Sequence, residues 1–431
     1  MRVIAYGTRS WTHWLAALPR SSAPRPALVR RVATTLAAVR REGDRALARL
    51  TARFDGVKVD ASRLRVPPRE IHARAAGAHR DLTAALREMA HRIEAFHRRQ
   101  RDPGFQWRTA DGSVLREVVR PLASVGLYVP GGAGAYPSSV LMNAIPAKVA
   151  VVGRIAVATP PRTLEASPAV AAALVIAGVE GEVYRIGGAQ AIAALAYGTE
   201  TIPRVDKIVG PGNAHVNAAK RLVRGRVEID HEAGPSEIVV LADATADAGL
   251  VAADLLAQAE HGSGDETVVL VTSSRVLASE VAQRVAAGLP SVANPASARR
   301  ALARQGAIIL VRDLAEAIAA VNALAPEHVE VMTRRAEAVA RQIVAGAVFV
   351  GRFSPVAVGD YGIGPNHVLP TGGSARFASP LSVRDFERRT SVVRMSRAGL
   401  ARVASGVVCV ARAEGFRAHA RSVLARFEGE A

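Results

Sequence analysis

The chain holds a single cysteine, Cys409, among 431 residues, which excludes an internal disulfide framework and any cysteine-based zinc cluster. A lone thiol agrees with a reducing cytoplasm as the expected location. Its apolar neighbours in GVVCVARAE predict a buried, inert side chain, and no fixed base is evident that would make it catalytic. Aromatic residues are scarce, at 4%, and none is interleaved with basic residues as a stacking platform for bases. Lysine is nearly absent: Lys58, Lys148, Lys207 and Lys220 are the only ones, so the formal charge of +18 is almost wholly arginine. The arginines are dispersed, in pairs such as Arg30-Arg31, Arg40-Arg41, Arg98-Arg99 and Arg388-Arg389. With the heavy use of alanine, they read as the composition of a GC-rich genome. Nucleic acid is not expected as the main partner, although a positive field could attract an anionic cofactor. Long apolar runs are missing too. The stretches near 144–159 and 168–183 are interrupted by Lys148, Arg154, Pro160, Glu180 and Glu182, so no membrane span is expected. The opening MRVIAYGTRSWTHWLAALPR, broken by His13, does not read as a signal peptide.

What the chain does have is length and pattern. Its size predicts two or more domains with a large core, and an apolar fraction of 49% argues against disorder. Val29 to Phe54 carries apolar residues at helical spacing (Val32, Leu36, Val39, Ala46, Leu50), with a break near Gly43-Asp44. Residues 81–100 form a second amphipathic helix; His72, His79, His91 and His97 in this region read as solvated. From about 120, the strand-like RIAVATP, VYRIGG and KIVGPG alternate with the helix-like SPAVAAALVIAGV and AQAIAALAYGT. SEIVVLAD, TVVLVTSS, AIILVRD and HVEVMT then alternate with further helices. The pattern is βαβ throughout and implies parallel sheets. The fold expected is α/β, with two tandem Rossmann-like doubly wound units that join near 234–237, a helical N-terminal region, and a mixed C-terminal segment ending in a helix.

The chemistry-bearing residues fall in a few segments. Gln258 and His261 in AQAEHG are three apart, which on a helix places both on one face. Asp360 lies in VGDYGIGPNHVLPT and His419 in AEGFRAHA. Two nitrogens and two oxygens suit a borderline divalent ion such as zinc, although each piece taken singly reads as an ordinary surface helix or loop. Glu327-His328 in APEHVEV offers an acid/base couple with no metal duty. Glycine-rich turns at 128–139, 186–195 and 208–216 follow strands, where backbone N–H groups can meet a phosphate. None carries the full GxGxxG pattern with a following acidic residue, so a dinucleotide site and ordinary tight βα turns both remain open on pattern alone. His367, in GPNHVLP, reads equally well as a turn histidine or a site residue. His215 and His231 lie near these loops.

Together the segments REGDRALARLTARFDGV, GLYVPGGAGAYPSSVLMNAIPA, GGAQAIAALAYGTETIPRVDKIVGPGN, EAGPSEIVVLAD, QAEHG, PEHVE, GDYGIGPNHVLPTGG and EGFRAHA resemble the histidinol dehydrogenase family, in the family's order and over nearly the full length. The resemblance implies a zinc- and NAD-dependent oxidation of L-histidinol to L-histidine, the last step of histidine biosynthesis. It implies Gln258, His261, Asp360 and His419 as ligands of one Zn2+ per subunit, and Glu327 and His328 as the acid/base residues. Substrate contacts are implied at Ser236 and Glu414, with Gln258, His261, His328, Asp360 and His419. NAD contacts are implied at Tyr128, Gln190 and Asn213. It also implies a homodimer in which the C-terminal segment enters the partner's site, bringing Glu414 and His419 in trans. The domains expected are an arm over 1–24, a main α/β domain over 25–127 and 237–378, an NAD-binding domain over 128–236, and an exchange segment over 379–431. A relative acting on another polar alcohol is the nearest alternative, but it need not keep both Glu414 and this metal shell.

Overall fold

The computed structural model describes residues 1–18, 25–131 and 136–428. Residues 132–135 of the first glycine-rich turn, 19–24 of the expected arm and 429–431 of the C-terminal segment lie outside the described residues. The chain divides into two compact units, one of Met1–Gln100 with Leu122–Phe386, the other of Arg101–Pro121 with Glu387–Ala431.

Among the described residues the first unit carries two six-stranded sheets. One runs in the order Arg65–Val66, Val183–Arg185, Arg154–Thr159, Ser124–Tyr128, Lys207–Val209, Glu228–Ile229. Its pairings are parallel except at Arg65–Val66. The other, parallel throughout, runs Arg2–Ala5, Ala307–Leu310, Thr267–Thr272, Glu237–Ala242, His328–Met332, Ala347–Val350. In both, an edge strand comes from earlier in the chain (Arg65–Val66 and Arg2–Ala5). The remaining five strands start at a central one, build outward on one side and return to build the other, so a topological switch point falls beside Ser124–Tyr128 and beside Glu237–Ala242.

These strands are continuous apolar runs because both faces are covered. Ile238 and Val240 enter one core cluster while Val239 and Leu241 enter another, the alternation that a pleated strand imposes. The returning helices are started by side-chain caps: Asp247 accepts from Gly249 N–H and Leu250 N–H at the head of Ala248–Ala259, and Asn213 from His215 N–H and Val216 N–H at the head of Ala214–Val223. The long helix Pro26–Asp55 breaks where the sequence places the break, at Gly43 with φ 53° and ψ −133°. No helix among the described residues is long and apolar enough to cross a membrane.

The helix Arg80–Arg98 corrects one expectation. His97 is not solvated but fully buried, continuing the inward face of Leu86, Met89 and Ile93. Its Nδ1 lies 2.6 Å from Gln100 Oε1 and its Nε2 3.4 Å from Asn366 Nδ2.

The second unit is an antiparallel sheet in the order Glu387–Arg394, Val114–Pro121, Phe105–Arg108, followed by helices Arg397–Ala413 and Arg417–Leu424. Residues 105–121, which read by sequence as part of the main domain, form a hairpin here. The Asp111-Gly112 pair between two alternating runs is its signal, and Gly112 takes φ 86°.

Candidate active site

Ser236, Gln258, His261, Glu327, His328 and Asp360 lie at one edge of the second sheet. Ser236 and Glu237 open one central strand and Glu327 and His328 open its neighbour, with Ile238 in register with His328. This is the N-terminal edge of the strands, the opposite of the usual ligand edge of an open α/β sheet. The reason is the direction of the helices. Ala248–Ala259 carries the chain back from the strand Glu237–Ala242 to the start of Thr267–Thr272, so its last turn delivers Gln258 to this edge. His261 lies just past the helix end rather than within it. Its N–H donates to Gln258 C=O at 3.4 Å and its Nδ1 sits 3.2 Å from the same carbonyl oxygen, so the three-residue spacing survives as a turn. The short helix Val356–Tyr361 likewise returns from the strand Ala347–Val350 and brings Asp360.

Glu237 proves central, and the sequence reading passed over it. Its N–H donates to Glu327 Oε2 at 3.0 Å, while Glu327 N–H donates to Glu237 Oε2 at 3.2 Å, a reciprocal clamp. Glu237 Oε2 also accepts from Gly372 N–H at 3.1 Å. His328 Nδ1 lies 3.0 Å from Glu237 C=O; a carbonyl only accepts, so Nδ1 carries the hydrogen and Nε2 keeps its lone pair. The signal was a glutamate opening a strand otherwise wholly apolar, EIVVLA, which must find partners when buried.

Burial dominates the electrostatics. It pushes His328 down to about 4, with Asp360 opposing. It pushes Glu327 well above the usual carboxylate range, and the neighbouring Glu237 and Asp360 charges add to the rise. His367, which by sequence reads equally well as a turn histidine or a site residue, is half-buried with Nδ1 3.7 Å from Asp360 Oδ1, and desolvation lowers it too. His328 and His367 are therefore neutral at physiological pH.

Gln258 is buried and its Nε2 has no hydrogen-bond partner. Since an amide can be turned over without changing its shape, Gln258 presents an unused polar end here. An amide oxygen, the His261 imidazole and the Asp360 carboxylate form a donor set suited to a borderline dication. The negative C-terminal end of the helix Ala248–Ala259 and the crowded carboxyls favour positive charge as well. Zinc therefore fits the residues present. Among the described residues, no three or more His, Cys, Asp and Glu side chains gather closely enough to hold a metal by themselves.

Tyr128, Gln190 and Asn213 lie at the C-terminal edge of the first sheet. A cavity of about 1110 Å³ is lined by Tyr128, Gln190 and Asn213 together with Asp55, Arg162, Gly188 and His215. Tyr128 ends its strand, and its hydroxyl oxygen accepts from Gly188 N–H at 3.0 Å; burial pushes the phenol up to about 12. Gln190 lies in the first turn of the helix Gly188–Tyr197, with Nε2 3.5 Å from Asp55 Oδ2. His215 lines the cavity, whereas His231 is not among its lining residues.

In the second unit Glu414 caps the helix Arg397–Ala413 and His419 lies in the helix Arg417–Leu424, both exposed. The His419 ring stands 5.0 Å from that of Phe416. Cys409 is exposed rather than buried, because the apolar residues around it form an outward stripe: Val403, Val407 and Val410 are all exposed.

A family model described as histidinol dehydrogenase matches residues 18–427. A histidinol dehydrogenase from Syntrophotalea carbinolica is 46% identical over 99% of both chains. One from Gluconobacter oxydans is 50% identical over 92% of each. The crystal structure of a histidinol dehydrogenase from Elizabethkingia anophelis superposes with a TM-score of 0.92 at 35% identity, covering 99% of this chain and 98% of that one.

Proposed function

Because the chain belongs to the histidinol dehydrogenase family, we propose that it oxidises L-histidinol to L-histidine in two successive hydride transfers to NAD+, as the last step of histidine biosynthesis in the cytoplasm. The observation that carries the mechanism is the buried, neutral His328, whose Nδ1 is held by Glu237 C=O. Its free Nε2 is a base for the substrate hydroxyl proton as hydride leaves the carbinol carbon. The aldehyde then adds water, and the hydrate loses a second hydride and proton. Glu327, held by Glu237 N–H beside His328, activates that water. Burial raises its proton affinity above that of an ordinary carboxylate, so it takes up the water's proton more readily. Ser236 stands beside Glu327 and orients the substrate.

Gln258, His261, Asp360 and His419 would hold the zinc ion, which when bound fixes the substrate's imidazole and amine. Glu414 would pair with protonated substrate nitrogens. Tyr128, Gln190 and Asn213 would receive NAD+ in the cavity they line. The proposed division is an NAD-binding part over 128–236, a metal and catalytic part over 25–127 and 237–378, an arm over 1–24 and an exchange segment over 379–431. Against it, Arg2–Ala5 pairs into the second sheet, Arg65–Val66 and Ser124–Tyr128 into the first, and 105–121 groups with the C-terminal segment. The exposed stripe of Val403, Val407 and Val410 runs along the helix that ends at Glu414. It supports a homodimer in which Glu414 and His419 serve the partner's site.

The test is the NADH formed per L-histidinol consumed, with and without a chelator and with zinc restored. Two NADH per substrate, abolished by chelation and recovered with zinc, is the expected result. A zinc-loaded protein that does not reduce NAD+ with histidinol would overturn the reading and direct the search to other polar alcohols.

A further inference from the structure

Behind the cofactor cavity lies an ion pair that the mechanism does not use. Lys220, on the helix Ala214–Val223, and Asp230, just past the strand Glu228–Ile229, face each other with side chains 0% and 1% exposed. Both reach the same residue. Gly210 N–H donates to Asp230 Oδ2 at 2.8 Å, and Lys220 Nζ donates to Gly210 C=O at 3.0 Å and to His231 C=O at 3.1 Å. Gly210 sits at φ +117°, and a Cβ there would lie 2.1 Å from Tyr128 C=O. The turn therefore passes directly against the strand end that carries Tyr128. Two residues further on, Asn217 Nδ2 donates to Gly212 C=O at 3.0 Å. The turn then ends at Asn213, which lines the cavity.

A well-packed apolar pair would fill the same space without desolvating two charges. It could not hold a backbone N–H and a backbone C=O from opposite sides, as charge-assisted hydrogen bonds do. We propose that Lys220 and Asp230 are a positioning pair for the dinucleotide subsite, clamping Gly210 so that the turn presents Asn213 beside Tyr128. This rests on the reading of Tyr128, Gln190 and Asn213 as NAD+ contacts.

The test uses the full-length, zinc-loaded enzyme and the variant Lys220→Met/Asp230→Leu, which leaves neither charge unpaired. Expected is a rise of roughly tenfold or more in both the Kd and the KM for NAD+, with the histidinol KM and zinc per subunit unchanged. Lys220→Met/Asp230→Asn, which keeps an acceptor for Gly210 N–H, should recover part of the affinity. A folded apolar variant that binds NAD+ as tightly as wild type overturns the proposal. So does a loss of NAD+, histidinol and zinc by a common factor, or the failure of both variants to fold, since the pair would then support the fold rather than the subsite. Asn213→Ala separates the two claims. If wild type binds no NAD+, or Asn213→Ala binds it unchanged, the reading of the cavity fails, whatever the ion pair does.

Discussion

At the scale of single residues, His328 is made a base by two things that a motif does not show, its burial and its one backbone acceptor. His328→Asn keeps a donor toward Glu237 C=O but has no proton acceptor at the Nε2 position, so kcat should fall by roughly 10²–10⁴ with little change in the histidinol KM; unchanged turnover would remove His328 from the mechanism. The pH dependence has a definite sign. Because burial lowers His328 to about 4, kcat should stay level as pH falls through about 6.5, where an ordinary imidazole titrates, and decline only toward 4. The histidinol KM should rise earlier on the acid side, because the substrate imidazole must be neutral to coordinate. Glu327→Gln separates the half-reactions. It should spare the first hydride transfer and slow water addition, so NADH per histidinol drops from two toward one and the aldehyde can be trapped. Equal loss of both steps would count against the assignment. The sequence displays these residues through the family resemblance of the segments that carry them; taken singly, each reads as an ordinary helix or loop. The sequence does not display Glu237, whose part is played as much by its backbone as by its carboxylate.

At the scale of elements, the strand His328–Met332 and the helix Ala248–Ala259 are joined by an unusual contact. Glu330 follows His328 on the same strand face. It is fully buried, and among the described residues no protein donor reaches either of its oxygens. Burial first, and then the Asp254 carboxyl on the helix, push Glu330 up to about 9, and burial raises Asp254 as well. Folded Glu330 thus holds a proton that an unfolded chain would release near 4.5. Its stabilising contribution is complete below that pH and is lost as pH climbs toward 9. Glu330→Gln removes this linkage. The variant should unfold with a flatter pH dependence over 4.5–9 and should gain on the order of 1 kcal/mol at pH 8 in chemical denaturation; an unaltered slope would mean that Glu330 is ionised in the fold.

The parallel strands were legible because they are unbroken apolar runs such as TVVLVT. The hairpin over 105–121 was not, since half of each strand is polar and its partner lies some 270 residues away, at Arg388↔Arg120. Nor could a linear pattern say which edge of the sheet carries the chemistry. That depends on helices running back against the strands, and it becomes visible only once the strand order is known.

At the scale of the whole molecule, the proposed metal shell is split between the two compact units. Gln258, His261 and Asp360 belong to the first and His419 to the second. The family pattern over nearly the entire chain made the set legible, while the division between units could be seen only in the structure. Whether a subunit completes its own site or its partner's is a question of symmetry, and mixing two inactive variants answers it. His261→Asn damages the first-unit part of a site and His419→Asn the second-unit part; each homodimer alone should have lowered zinc content and little activity. If each site is built within one chain, every site in a mixture still carries a lesion and activity stays low. If the C-terminal segments exchange, a hybrid dimer has one site with both lesions and one with neither. Random re-association of equal amounts makes about half the dimers hybrid, each with one intact site of two, so activity should return to about a quarter of wild type. Zinc bound per dimer should rise in step with the activity. A mixture that exchanges subunits, as shown by mass-labelled chains, and yet stays as inactive as its parents would place His419 in its own subunit's site and end the exchange model.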